Sequence, residues 1–396
     1  MASPVDTTVK HFNSTMVGAP VLNGIAGSLV SVLDACLVSG FDLKAVTSLV
    51  VVSGIATLTF AGSHSAVADS VVLVAGVTGT LIALNGEQKI TAVGATTLKF
   101  ATTLPDGTAA GTVTFKMASG NWAKPFFGTN LAVYKSADPL STGMFLRVDD
   151  TSGANARVLG YETMSDVSTG TGFFPTATQI AGGGYWAKST LSTVAPVRWD
   201  LFCDGRTFIL SWVFSSAASS VIRSGRSVYV GDMQALKPGG DAYAFCLTCS
   251  SGAGNNGDGF VETGNTSGNF TPRSYTGLGS GISGFSYPYT GSNTIVSGID
   301  SALGVFPSVV DGGLRLSGRY WSEAANTAPR ANFVGLLTAP QSQLGLYFDP
   351  GVVVAGTGLL ANKNLKAVGA SNSAGASYPS VALGIAFVDI TGPWRQ

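Results

Sequence analysis

The chain of 396 residues is short of charge. Lys, Arg, Asp and Glu make up only 11% of it, and the 22 basic side chains cancel the 22 acidic ones. A net charge of zero offers no basic stripe for a nucleic-acid backbone and no cationic face for an anionic membrane, so neither is expected as a partner. Histidine is nearly absent, with His11 and His64 alone, so acid–base chemistry would rest on carboxylates. Cysteine is scarce as well. Four cysteines are too few for a disulfide scaffold, and Cys36 and Cys203 sit in apolar runs that predict buried thiols. There is no unbroken apolar run long enough for a transmembrane helix, because Ser, Thr and Gly interrupt each one. The opening "MASPVDTTVKHFNST" has no hydrophobic signal-peptide core, which suggests synthesis that stays in a cytoplasm.

Apolar residues and glycine are abundant instead. Hydrophobic residues reach 45%, mean hydropathy is +0.33, and there are 52 glycines. So little charge gives little protection against self-association. Such a surface predicts copies of the chain, or other subunits, covering part of it.

Residues 1–20 read as an extended polar arm that would gain order by lying on a neighbouring subunit. Over 24–41, Leu29, Val32, Leu33, Cys36 and Leu37 repeat at helical spacing and Gly40 supplies a stop. From residue 43 the period changes to two. "SLVVVSGIATLTF" predicts a hairpin turning at Ser53-Gly54, and further strands follow with turns at Asn85-Gly86, Gly94 and Asp106-Gly107. Residues 43–118 therefore form a small all-β module. Residues 1–42, arm and helix, join 119–396 in a large β-rich main domain.

At the junction, Trp122, Phe126 and Phe127 are expected to pack where module and main domain meet. "GMFLRVDDTSGANARVLGYETM" and "RWDLFCDGRTFILSWVF" read as hairpins, the second turning at Asp204-Gly205. "SVYVGDM", "DAYAFCLTC", "GLRLSGRYW", "ANFVGLLTAP", "QLGLYFD" and "VALGIAFVDI" read as strands, the last leading a C-terminus that joins the core sheet. The fold class is mainly β: a β-sandwich-type main domain, one N-terminal helix and the inserted module. Residues 250–300 are rich in Gly, Ser, Asn and Thr and read as long loops. Phe260, Phe270, Tyr275, Phe285, Tyr287 and Tyr289 punctuate them as candidate partner contacts.

Three motifs suggest chemistry. Gly252-x-Gly254-x-x-Gly257 follows a strand, but no helix pattern follows it, so the dinucleotide context fails. Cys246-x-x-Cys249 lacks a second ligand pair for zinc, and its two positions on a strand point to opposite faces. Asn255, Asn256, Asp258 and Glu262 could offer oxygens to calcium, without EF-hand spacing. Asp149-Asp150 is a hairpin-turn pair rather than a catalytic one. No catalytic set, cofactor or metal site is nominated, and the chain is not expected to be an enzyme.

Residues 43–118 resemble the small β-sandwich modules inserted in tailed-phage structural proteins. The matching stretches are Asp69–Val77 (after Ala68, where the pattern has Gly), Leu84-Asn85-Gly86, Thr97–Ala101 and Asp106-Gly107-Thr108. Most of the remaining chain resembles virion structural proteins of tailed bacteriophages. "GSLVSVLDACLVSGF", "LRVDD", "DGRTFIL", "KPGGDAYA" and "FVDITGPWR" are among the residues that carry the likeness. The resemblance implies a non-enzymatic virion component, made in the bacterial host cytoplasm and placed in the tail or its tip. A capsid decoration protein and a virion protein that binds a host-surface receptor or glycan are the alternatives. Other virion proteins and copies of the same chain would be its partners.

Overall fold

The computed structural model describes residues 3–213, 226–253, 268–288, 303–324, 327–369 and 384–395. The fold is mainly β, 43% strand against 7% helical, so sheet packing decides the architecture.

A seven-stranded antiparallel sheet forms the middle layer. Its order is Val9–Asn13, Trp199–Asp204, Thr207–Trp212, Arg226–Asp232, Phe245–Thr248, Asn269–Thr271 and Ile282–Ser283. Both faces are buried, and the side chains alternate between two cores. Leu201, Cys203, Phe208, Leu210, Val228, Val230 and Leu247 enter one core. Phe202, Ile209, Tyr229 and Cys246 enter the other. Two-sided burial is why "TFILSW" and "SVYV" are nearly unbroken apolar runs.

In front lies a five-stranded sheet: Trp122–Gly128, Leu131–Ser136, Phe145–Asp149, Asn155–Tyr161 and Gly184–Ala187. It supplies Tyr134, Leu146, Val148, Val158 and Trp186 to the first core. Behind lies a sheet ordered Phe285–Pro288, Ser317–Ser322, Ala331–Thr338, Ile385–Asp389, Asn364–Gly369 and Val353–Ala355. Trp321, Phe333, Leu336, Val368 and Val388 fill the second core from this side. The expected sandwich is thus three layers deep. The C-terminal strand takes its place within the back sheet, while "QLGLYFD" contains a 3-10 turn, Leu344–Leu346, in place of a strand. Gln343 before it has φ 70°, which an extended strand cannot include.

Residues 44–117 build their own eight-stranded sheet, in the order Lys44–Ala45, Thr114–Met117, Val71–Ala75, Gly86–Val93, Thr97–Ala101, Ile55–Thr59, Ser48–Val52 and Gly107–Thr108. The long strand Gly86–Val93 bends at a bulge between Ile90 and Ala92, pairing first with Val71–Ala75 and then with Thr97–Ala101. The hairpin turn at Ser53-Gly54 is as expected, with φ 49° and 77°, and the Asp106 carboxylate accepts the Ser53 N–H at 2.7 Å. Asn85-Gly86 is no tight turn. A 3-10 segment, Gly79–Leu84, precedes it, and the Asn85 side chain bonds the Val77 N–H and C=O at 2.9 and 2.8 Å.

The N-terminal segment is no arm on a neighbour. Val9–Asn13 pairs with Trp199–Asp204 of the same chain, and Val9 and Phe12 are fully buried. The polar residues that suggested hydration are paired inside: Lys10 meets Glu87 at 3.0 Å, and His11 Nε2 meets the Ala68 carbonyl at 3.2 Å.

The helical segment runs as α-helix over Ser28–Leu33 and as π-helix over Asp34–Ser39, ending at Gly40 with φ 70°. Leu29, Val32, Leu33, Cys36 and Leu37 are its buried face, as the spacing predicts. Its first turn is capped from afar. One Asp150 oxygen accepts the N–H groups of Leu29 and Val30 at 2.8 and 3.2 Å. Its other oxygen pairs with Lys188, whose ammonium also donates to the Ile25 carbonyl at 2.8 Å. Both side chains are buried. Burial raises the Asp150 carboxyl and lowers the Lys188 ammonium, each against the pull of the partner's charge. The pair is therefore held at a desolvation cost.

Asp150→Ala would leave Lys188 buried without its counter-charge and the helix start uncapped. The expected loss is about 3–5 kcal/mol, read by urea denaturation. A loss below about 1 kcal/mol would show that the pair does not anchor the helix.

Candidate functional site

The aromatic residues expected as contacts separate into distinct environments. Phe270 lies on the central-sheet strand Asn269–Thr271 and is buried in the first core, so it presents no contact face. Tyr287 is buried too, stacked on half-buried Phe285 with ring centroids 5.8 Å apart. Both corrections have one cause: the "loop" region contributes strands to two sheets. Tyr275 is 56% exposed. Phe260 and Tyr289 lie outside the described residues, as do Gly254, Gly257 and the calcium candidates Asn255, Asn256, Asp258 and Glu262. At the expected junction, Trp122 packs edge-on to Phe208 at 5.4 Å, whereas Phe127 is largely exposed on the outermost strand of the front sheet.

All four cysteines are free and buried. Cys246 faces the second core and Cys249 the first, on opposite sides of the central sheet. Burial pushes the Cys203 and Cys246 thiols up to about 12 and the Cys36 thiol well above its ordinary value. Among the described residues, no three His, Cys, Asp or Glu side chains come together as a metal-holding group.

Asp138, Asp204 and Asp232 gather with Arg206 and Arg395 where two central strands turn. Their acceptors are committed. Asp204 holds the turn through the N–H groups of Arg206 and Thr207 at 3.0 and 2.8 Å and pairs with Arg395. Asp232 accepts the Thr142 hydroxyl at 2.6 Å and its N–H at 3.0 Å. Burial raises the Asp232 carboxyl from 3.8 to about 6, with the Asp138 charge adding to the rise and the Thr142 bonds and Arg206 opposing it. The arrangement clamps the C-terminus and the 138–142 loop to the central sheet.

Two surface features among the described residues stand out. The first lies on the outer face of the back sheet. Leu344, Leu365, Ala367, Ile385 and Phe387 form a third apolar cluster there, with Phe306, Leu314, Phe348 and Val354 packed over it. Among the described residues the cover is incomplete and leaves a groove of about 810 Å³ between Leu303, Leu316, Val354, Leu359 and Leu360, with Asp311 and Arg315 at its wall. Leu359 is fully exposed, and Val309 and Val310, just before Asp311 in the chain, are nearly so. The groove borders Val353–Ala355, which ends the back sheet's strand order.

The second is a cleft of about 660 Å³ lined by Leu236, Lys237, Tyr275, Glu323, Ala324, Thr327, Ala328, Pro329 and Arg330. An ionic network builds its floor. Arg330 forks onto Asp241 at 2.7 and 3.1 Å and reaches Glu323 at 2.9 Å and the Arg273 carbonyl at 2.7 Å. Arg273 forks onto Glu162 at 2.7 and 2.8 Å. Tyr275 is pinned by its backbone: its N–H donates to Glu323 at 2.5 Å and its carbonyl accepts from Lys237 at 3.2 Å. Sequence reasoning found Tyr275 and missed the network around it, which draws on Glu162, on Lys237 and Asp241, and on Glu323 and Arg330. The one available signal was rarity: in a chain so poor in charge, Arg273, Glu323 and Arg330 stand out.

Together these features define a layered β protein with an apolar groove, a polar cleft and buried, committed titratable groups. No helix among the described residues is long and apolar enough to cross a membrane. No protein-family model matches the chain, and no curated protein matches it significantly.

With every thiol buried in the folded protein, Ellman's reagent should find none reactive in native buffer and all four cysteines after unfolding in guanidinium. Rapid native labelling of even one would contradict the described packing. For Asp232, the folded-state value lies above the unfolded one, so its stabilising contribution is complete below about pH 4 and is lost as pH rises through about 6. The loss amounts to about 3 kcal/mol. Wild-type stability measured from about pH 4 to about pH 7 should carry this decline, and Asp232→Asn should flatten it. An unchanged profile in the variant would place the titration elsewhere.

Proposed function

We propose that the chain is a non-enzymatic structural component of a tailed-phage virion, in the tail or its tip, and that it acts through subunit contacts. The observation that carries this reading is the open apolar groove beside the edge strand Val353–Ala355. Exposed apolar surface of this kind marks interaction sites, and an edge strand offers unpaired backbone groups to another chain. The occupant is a second copy. An antiparallel edge is self-complementary across a two-fold axis, so two such strands can pair while each chain's Leu359 enters the other's groove. The low share of charge and the resemblance to phage virion proteins favour the same reading. Capsid decoration would use the same contact chemistry at a different place in the particle.

Sedimentation of the full chain should show a concentration-dependent oligomer. Leu359→Glu combined with Val353→Lys should shift it to monomer with little change in melting temperature, because both side chains are exposed. The same variant should enter phage particles poorly. A wild-type chain that stays monomeric at high concentration, or a variant that assembles normally, defeats the reading.

A further inference from the structure

We propose that the cleft beside Tyr275 is a carbohydrate site that holds one uncharged hexopyranose unit of a surface glycan. The virion reading supplies only the biological source of such a glycan; the binding chemistry stands without it.

Size is the first argument. A volume of about 660 Å³ lies in the ordinary range for small-ligand sites and admits a hexose with its neighbouring linkage. The lining is the second. A pyranose has an apolar face of C–H groups and a rim of hydroxyls. The cleft offers an exposed aromatic residue, Tyr275, with Leu236 and Pro329 as apolar wall. An aromatic face binds C–H groups by dispersion and by its quadrupole.

The polar groups complete the match. Glu323 uses one oxygen for the Tyr275 N–H and Arg330, and its second oxygen carries no hydrogen bond among the described residues. It can accept from a sugar hydroxyl. Lys237 spends one N–H on the Tyr275 carbonyl and keeps two for hydroxyl oxygens. An acceptor and a donor beside an aromatic residue suit vicinal hydroxyls, each of which both donates and accepts.

Charge then selects a neutral ligand. Arg330 would be the natural partner of an anion, but it is buried, its Nε and Nη1 groups are committed to Asp241, Glu323, Thr271 and the Arg273 carbonyl, and Nη2 also bonds Asp241. Arg273 is committed to Glu162 and the Gly277 carbonyl. Lys237 alone stands against Glu323, so an anion gains no net attraction. The same network holds Tyr275 from both sides of its backbone, so little ordering is required on binding.

The test uses the full chain with methyl glycosides of D-glucose, D-galactose, L-rhamnose and N-acetyl-D-glucosamine, and with sialic acid as the anionic probe. Saturation-transfer NMR should show contact with at least one neutral sugar, with a Kd on the order of 1 mM. Tyr275→Ala should weaken it by about tenfold and Lys237→Ala by a few-fold, both with unchanged melting temperature. Leu359→Glu should leave sugar binding intact, so loss of assembly and loss of binding are read separately. The proposal is overturned if no neutral sugar binds, if sialic acid alone binds, or if binding survives Tyr275→Ala undiminished.

Discussion

Burial of both faces of the central sheet sets the terms for every other part of the molecule. A sheet solvated on one side can alternate apolar and polar residues. This one cannot, and its four middle strands must feed two cores at once, with Phe208 turned to one and Ile209 to the other. Two further sheets must then exist to cover it, and each brings an outer face of its own. The front sheet turns outward a mixed surface that includes Phe127. The back sheet turns outward a third apolar cluster that the described loops only partly cover. The groove is thus a consequence of layering: the last layer added is the one whose outer face the described residues leave partly bare.

The second constraint is the seam between the 44–117 sheet and this stack, where polar groups join parts that also share one apolar core. Lys89, on the module's long strand, is buried and donates to the Ile390 carbonyl at 2.8 Å. Asn364 of the back sheet donates to Asp69 of the module at 2.8 Å. Lys116 reaches the Ser39 carbonyl at 2.6 Å, at the end of the helical segment. Desolvation lowers the Lys89 ammonium to about 8 despite the nearby Asp69, Asp6 and Asp389 charges. It also holds His11 well below its ordinary value, with Lys366 and Lys89 adding repulsion. A seam that buries Lys89 and His11 needs carbonyls and carboxylates from both sides, so the relative placement of the parts is specified closely.

Much of the fold was legible in local pattern. The hairpins at Ser53-Gly54, Asp149–Ala154 and Asp204-Gly205 followed from period two and turn residues, and the buried face of the helix from its spacing. The failures share a physical origin: side chains used in ways that local pattern does not encode. The N-terminal strand looked like a hydrated arm because Lys10 and His11 are polar, yet both find partners inside. Asn85-Gly86 looked like a tight turn, but Asn85 spends its amide on Val77. Phe270 and Tyr287 looked like partner contacts on loops because Gly and Ser surround them, and the short strands that bury them are too brief to show a period. Asp150 was read as a turn residue, since its partners, Lys188 and the helix start, are distant in sequence. The cleft was legible only through Tyr275, for the same reason.

The pairing of the first strand with Trp199–Asp204 also orders events in time. Val9 sits opposite Asp204, so the edge of the central sheet cannot close until the chain between them has been made. The module at 44–117 is different, because every strand in it pairs within that span. During synthesis it can form while the first strand still waits for its neighbour. For that interval Val9 and Phe12 lack the cover they have in the finished protein, a window in which a chaperone or a neighbouring nascent chain could compete for them.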